Sequence, residues 1–131
     1  MTRKTIELDS AIVSGNAADD GYQNERRGWF VGHFFEPVDR LRCTQDVEVK
    51  WGKHLPNEER VTPSVREKAT TLTLLLRGLF IIEFPDFDIS FNLERPGDYV
   101  ISAPGVAHLW KVVEDSVVLT VCWPSTPNNQ K

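Results

Sequence analysis

Along most of the chain, apolar and polar residues alternate in short runs separated by turn residues, the pattern of strands with one buried face. In 47–54 (VEVKWGKH), Val47, Val49 and Trp51 alternate with Glu48 and Lys50, which leaves Glu48, Lys50 and His54 on one face. Phe87, Ile89, Phe91 and Leu93 alternate with Asp88, Ser90 and Asn92, predicting a strand whose apolar face is buried. The stretch 29–35 (WFVGHFF) is aromatic and β-branched enough for a strand, with Gly32 at a bulge or a close approach. In 71–84 (TLTLLLRGLFIIEF), Gly78 interrupts an apolar run, and two strands joined tightly around Arg77 and Gly78 are predicted. Leu72, Leu75, Leu76 and Leu79 also share helical spacing, but the neighbouring threonines and isoleucines favour strand.

Punctuation supplies the rest. Residues 55–59 (LPNEE) are turn chemistry, and Pro63 excludes a regular central strand across 61–68, so an irregular crossing is expected there. Turns at 95–98 (RPGD) and 103–105 (APG) bracket a strand at 99–102, and Glu114-Asp115 is expected to separate strands at 107–112 and 116–123. Residues 5–13 read as a short strand or arm, and 14–28 (SGNAADDGYQNERRG) as a polar loop. The resulting division is an arm and loop at 1–28, a barrel at 29–124 and a polar tail at 125–131. Seven or more short strands at intervals of about 8 to 12 residues indicate an antiparallel sandwich or barrel. No helix of ordinary length and no internal repeat is visible.

Composition narrows the function. With 131 residues the chain suits one domain, and its 40% hydrophobic and 26% charged content is that of a folding chain. A formal charge of -4 and a pI near 5.3 provide no basic field, so a nucleic-acid partner is not expected. The longest apolar stretches, 72–76 and 117–123, fall far short of the roughly 20 residues that span a bilayer, and no membrane partner is expected. Arg3 and Lys4 are followed by Glu7 and Asp9 instead of an apolar run, so no secretory signal is read and a cytoplasmic address is expected. Cys43 and Cys122 then read as free thiols, Cys122 as a small buried hydrophobe.

The stretch 95–108 (RPGDYVISAPGVAH) resembles the second motif of the cupin superfamily: a glycine, five residues, a proline, one residue, a glycine, two residues and a histidine. Gly97, Gly105 and His108 keep that spacing, and Pro104 lies one place late. Upstream, 71–78 (TLTLLLRG) resembles the end of the first cupin motif, in which an acidic residue precedes a strand and a glycine turn. The resemblance covers 48–123 and implies an all-β, single-domain antiparallel double-stranded β-helix, the jelly-roll barrel. Most metal-binding members take two histidines and a glutamate from the first motif and one histidine from the second. Counting back from Gly78, the glutamate place falls on Thr71 and the histidine places near Ser64 and Arg66, none of them a ligand of that type. His108 alone is retained, and a catalytic metal needs about three protein ligands. No cofactor is therefore expected; the alternative is a divalent transition metal held by His33, His54 and His108, the chain's three histidines.

Candidate acid-base residues are His108, Glu48, Lys50 and Tyr99. The face carrying Glu48 and Lys50 is either a solvated outer face or a pocket lining on which the two groups shift each other's pKa. Trp51, His54, Thr71, Thr73 and Trp110 are candidate ligand contacts. Trp110 lies two residues beyond His108, hence on the same strand face, and the pair suits an apolar or aromatic ligand with one polar group. Leu72, Leu74 and Leu76 oppose Thr71, Thr73 and Leu75, so this strand must be covered on both faces. A homodimer interface or the N-terminal arm is expected over the leucine face. Three functions remain open from sequence. The first is a small-molecule-binding cupin without the usual metal ligands, acting as an isomerase, lyase or cyclase. The second is a metal-dependent, dioxygenase-like enzyme, and the third a non-catalytic sensor or accessory protein.

Overall fold

The computed structural model describes residues 6–8 and 11–127; parts of the expected N-terminal arm (1–5, 9–10) and of the tail (128–131) lie outside the described residues. Ile6–Leu8 (β1) and Ile12–Ser14 (β2) form a small antiparallel ribbon. The remaining strands belong to one barrel: Trp29–Val31 (β3), Glu48–His54 (β4), Glu59–Ser64 (β5), Thr70–Phe84 (β6), Ile89–Leu93 (β7), Tyr99–Ser102 (β8) and His108–Trp123 (β9). The polar loop 14–28 holds an unforeseen five-residue helix, Ala17–Gly21 (α1), capped by the Asn16 side chain, which accepts from the Asp19 N–H at 3.1 Å.

Two corrections define the architecture. The stretch read as two strands around Gly78 is one 15-residue strand, β6, and the stretch read as two strands around Glu114-Asp115 is one 16-residue strand, β9. They pair antiparallel along nearly their whole length, with a register shift where Arg77 faces Val117 and Leu79 faces Glu114. Gly78 alone therefore opposes Asp115 and Ser116, which is a β-bulge, and both long strands bend there. The bulge requires a glycine, because Gly78 has φ +105° and a Cβ would lie 2.6 Å from the Ser116 Cα. Ser116 closes it, its Oγ accepting from the Leu79 N–H at 3.1 Å and donating to the Glu114 carbonyl at 2.7 Å.

The bulge also reverses the inward face. Before it Thr71, Thr73 and Leu75 are buried; after it Phe80, Ile82 and Phe84 are. The N-terminal half of β6 pairs with the C-terminal half of β9 between β8 and β4, while the C-terminal half of β6 pairs with the N-terminal half of β9 between β7 and β5. These are the two walls of a jelly roll. Leu75, Phe80, Ile82, Phe84, Val112 and Val118 fill one end between them.

Edge positions explain the other differences. β7 begins at Ile89, after a 3₁₀ turn at Pro85–Phe87, and only Leu93 is buried; Phe87, Ile89 and Phe91 are 65%, 47% and 40% exposed. Its regular alternation lies on an edge with no second layer over it. β3 stops at Val31, short of the predicted Phe35. β5 is an edge strand whose register slips between Arg60 and Ser64, around Pro63, as expected of an irregular crossing. The predicted tail begins too early, since Ser125 is fully buried and its N–H donates to the Gln45 carbonyl at 2.9 Å.

Candidate ligand-binding site

β4 turns Glu48, Lys50 and His54 inward, so this face is not the solvated one. Glu48 is buried, and Lys50 and His54 line a cavity of about 150 Å³ between the two walls. The β4–β9 register sets Lys50 beside Thr120 and His54 beside Ser116. From β6 come Thr71 and Thr73, and beyond the bulge Phe80 and Ile82. His108 and Trp110 enter from β9 on one face, as their spacing predicts. Trp110 stacks on Phe80 at 5.5 Å between ring centroids and meets the His54 ring edge-on at 4.8 Å.

The sequence reading overlooked the dominant feature of the lining, its charge. Arg27, Arg60 and Arg66 join Lys50 around the cavity, and no aspartate or glutamate lines it among the described residues. A chain with net charge -4 thus concentrates four cations on one small space. Arg66 is partly neutralised by Glu48, Nη1 to Oε2 3.4 Å. The buried Nε of Arg60 and the buried Oε1 of Glu48 have no hydrogen-bond partner among the described residues. A second, outer cavity of about 620 Å³ shares Arg27, Trp29 and Arg66 with the inner one. The Trp29 ring lies between two of the cations, 5.2 Å from the Arg66 guanidinium and 5.7 Å from Lys50 Nζ.

This setting moves the titrating groups in one direction. Burial, followed by the Arg60 and Arg66 charges, lowers the His108 imidazole from 6.5 to about 4, so it is neutral at neutral pH. Burial, followed by Arg27, Arg66 and Arg60, lowers the Lys50 ammonium from the ordinary lysine value. Burial also lowers His54, against a raising hydrogen bond from Glu58 at 3.3 Å. Cys122, which contacts Thr71 Oγ1 at 3.5 Å, is raised mainly by burial and stays a thiol.

Of the residues singled out from sequence, His108, Lys50, His54, Thr71, Thr73 and Trp110 meet around the inner cavity. Glu48 borders the outer one and is committed to Arg66, which makes it a positioning residue. Tyr99 does not join them: it pairs with Leu74 on β6, is 61% exposed and points away from His108. Trp51 is likewise not a ligand contact, because strand alternation places it on the face opposite Lys50, next to Leu119. His33 is not near the other histidines either. It lines the outer cavity, with Nδ1 2.7 Å from Ser125 Oγ, so the proposed three-histidine metal set is not assembled. Among the described residues no group of three or more His, Cys, Asp or Glu side chains is placed to hold a metal ion.

The places that the cupin resemblance assigns to metal ligands do converge. Ser64, Arg66, Thr71 and His108 all line the inner cavity, and Ser64 faces His108 in the β5–β9 register. One imidazole, two hydroxyls and a guanidinium do not fit a divalent transition metal, since the guanidinium offers no lone pair and adds a repelling charge. The signal for the missed arginines was therefore present in the sequence, at the very place where Arg66 stands for a histidine.

No family model matches the sequence, and no curated protein matches it. Solved structures do. KdgF from Halomonas sp. is 23% identical over 63% of this chain and 74% of its own, with a TM-score of 0.57. A cupin superfamily protein from Desulfitobacterium hafniense is 19% identical over 65% and 73%, with a TM-score of 0.56. A putative ethanolamine utilization protein from Salmonella typhimurium is 11% identical, but the likeness covers 95% of this chain and 96% of that one at a TM-score of 0.63. The bent strand pair, the two walls and these likenesses agree: the chain has the cupin fold, an antiparallel double-stranded β-helix with its cavity between the walls.

Proposed function

We propose that the protein binds a small organic anion in the inner cavity. Its carboxylate or phosphate is held by Arg60 and Arg66, and its apolar part lies against Phe80 and Trp110. The observation that carries this reading is the lining itself, four basic side chains of which Arg66 alone has a carboxylate partner among the described residues, while the buried Nε of Arg60 has no hydrogen-bond partner among them. Guanidinium forks suit planar oxyanions, and each charge-assisted hydrogen bond contributes about 1.5–3 kcal/mol. Neutral His108 is the proton acceptor beside the bound anion, and Lys50 is the second acid-base group, which favours an isomerase or lyase type of reaction. The Salmonella neighbour's name mentions ethanolamine; the lining found here repels a protonated amine.

The test is a calorimetric screen of small carboxylates and phosphates against their uncharged amides, repeated on Arg60→Gln. Selective anion binding that falls roughly tenfold or more in the variant is expected, the size of one lost charged hydrogen bond. Equal affinity for anion and amide, or unchanged affinity in Arg60→Gln, removes the reading.

A second copy of the chain is the proposed cover of the outer wall. There Leu72 lies between Ile101 and Val121, Leu74 between Tyr99 and Leu119, and Trp51 extends the row. A sheet face this apolar, with Ile101 half exposed, resembles the core of a homodimer interface. Among the described residues no helix is long and apolar enough to cross a membrane. The free thiols Cys43 and Cys122 support the cytoplasmic address as part of this reading.

A further inference from the structure

Lys50 is a half-buried amine in an unusual position. A lysine taken out of water ordinarily brings a carboxylate with it. On the same strand face Glu48 is the obvious partner, yet its Oε2 is engaged by Arg66, and Lys50 makes no ion pair among the described residues. The groups facing it are the guanidinia of Arg27, Arg60 and Arg66, the Trp29 ring, the Cys122 thiol and the hydroxyl-bearing Thr120 directly across on β9. An ammonium so placed is disfavoured by burial and by three like charges, and the Lys50 side chain lines a cavity built for an anion.

We infer that Lys50 is a covalent attachment point for a small oxo acid, a molecule carrying both a carboxylate and a ketone or aldehyde, which it captures as an imine. This rests on the anion-binding reading, because Arg60 and Arg66 hold the carboxylate of the same molecule. The Lys50 Nζ lone pair forms a bond to the carbonyl carbon while the carbonyl π pair moves onto oxygen. The resulting carbinolamine loses that oxygen as one water molecule, the nitrogen giving up its protons, and a C=N bond remains. Nothing is oxidised or reduced. Neutral His108, which enters the same cavity from the opposite wall, is the group able to take and return the proton. The inner cavity of about 150 Å³ limits the captured part to a few non-hydrogen atoms. A longer acid extends past Trp29 and Arg66 into the outer space.

The experiment is reductive trapping on the full chain: pyruvate or glyoxylate with sodium cyanoborohydride, then peptide mass mapping. One adduct per chain at Lys50 is expected, formed several-fold faster than at Lys53, Lys68 or Lys111 and suppressed by lactate, which has the carboxylate but no carbonyl. Lys50→Met and Lys50→Arg, each checked for an unchanged circular dichroism spectrum, are expected to lose that adduct and keep the slow background. Label spread evenly over the lysines overturns the inference. Calorimetry with lactate keeps the two proposals apart. If lactate binds and Lys50 is not trapped, the imine falls and the anion site stands; if Lys50 is trapped without protection by lactate, the amine is reactive but the arginine anchor is wrong. If neither occurs, both fall.

Discussion

The His108 imidazole offers a quantitative check on the electrostatics of the cavity. Burial and the Arg60 and Arg66 charges hold it near 4, against 6.5 for the free side chain. Above about pH 6.5 the ring is neutral in both folded and unfolded chains and adds no pH dependence. Between 6.5 and 4 the unfolded chain takes up a proton that the folded chain refuses, so stability falls as pH falls; below about 4 both states are protonated and the loss is complete. At 1.36 kcal/mol per pKa unit the whole effect is roughly 3 kcal/mol, of which about 2 kcal/mol has appeared by about pH 5. The perturbation is His108→Gln, which keeps polarity and approximate size but cannot titrate. Urea unfolding of both proteins at about pH 7.5 and about pH 5 supplies the assay, since every other titrating group is common to both and cancels in the difference. Wild type is expected to lose about 2 kcal/mol more than His108→Gln over that interval. Parallel losses in the two proteins refute the buried, cation-flanked imidazole.

Further outcomes follow from other parts of the fold. Gly78→Ala places a methyl group against Ser116 at positive φ and is expected to cost about 2 kcal/mol or more in denaturant unfolding; a neutral result contradicts the bulge as the pivot of the barrel. The triple variant Ser64→His, Arg66→His, Thr71→Glu supplies three ligands beside His108, and it is expected to bind cobalt(II) with a visible absorption that wild type does not show. If those four places do not converge as described, the variant stays colourless. Leu74→Arg puts a charge into the apolar outer wall and is expected to convert a dimer to a monomer in light scattering; a wild-type monomer contradicts the homodimer proposal.

The period-2 pattern identified β4, because one-sided burial imposes alternation on the sequence, while turn residues and apolar runs marked β8 and the two halves of each long strand. It did not reveal that the halves are continuous. A glycine at positive φ serves a hairpin turn and a bulge equally well, and only the partner strand decides between them. Alternation likewise overstated the burial of β7, since an edge strand retains the pattern without a second layer over it. At the site, His108 and Trp110 were legible because both lie on one strand, two residues apart. Tyr99 and Trp51 carry suitable side chains but lie on outward faces, a matter of strand phase that local residue type does not report. The arginines escaped notice because Arg27, Arg60 and Arg66 come from a loop, an irregular edge strand and the segment after it, none with a periodic signature.

Crystallography of the protein with the tightest-binding small carboxylate tests the central claim most directly. The account predicts density in the inner cavity, with the carboxylate within hydrogen-bonding distance of the Arg60 and Arg66 guanidinia and the remainder against Trp110 and Phe80. A ligand seated on the outer surface, or in the inner cavity with its carboxylate turned away from both arginines, contradicts it.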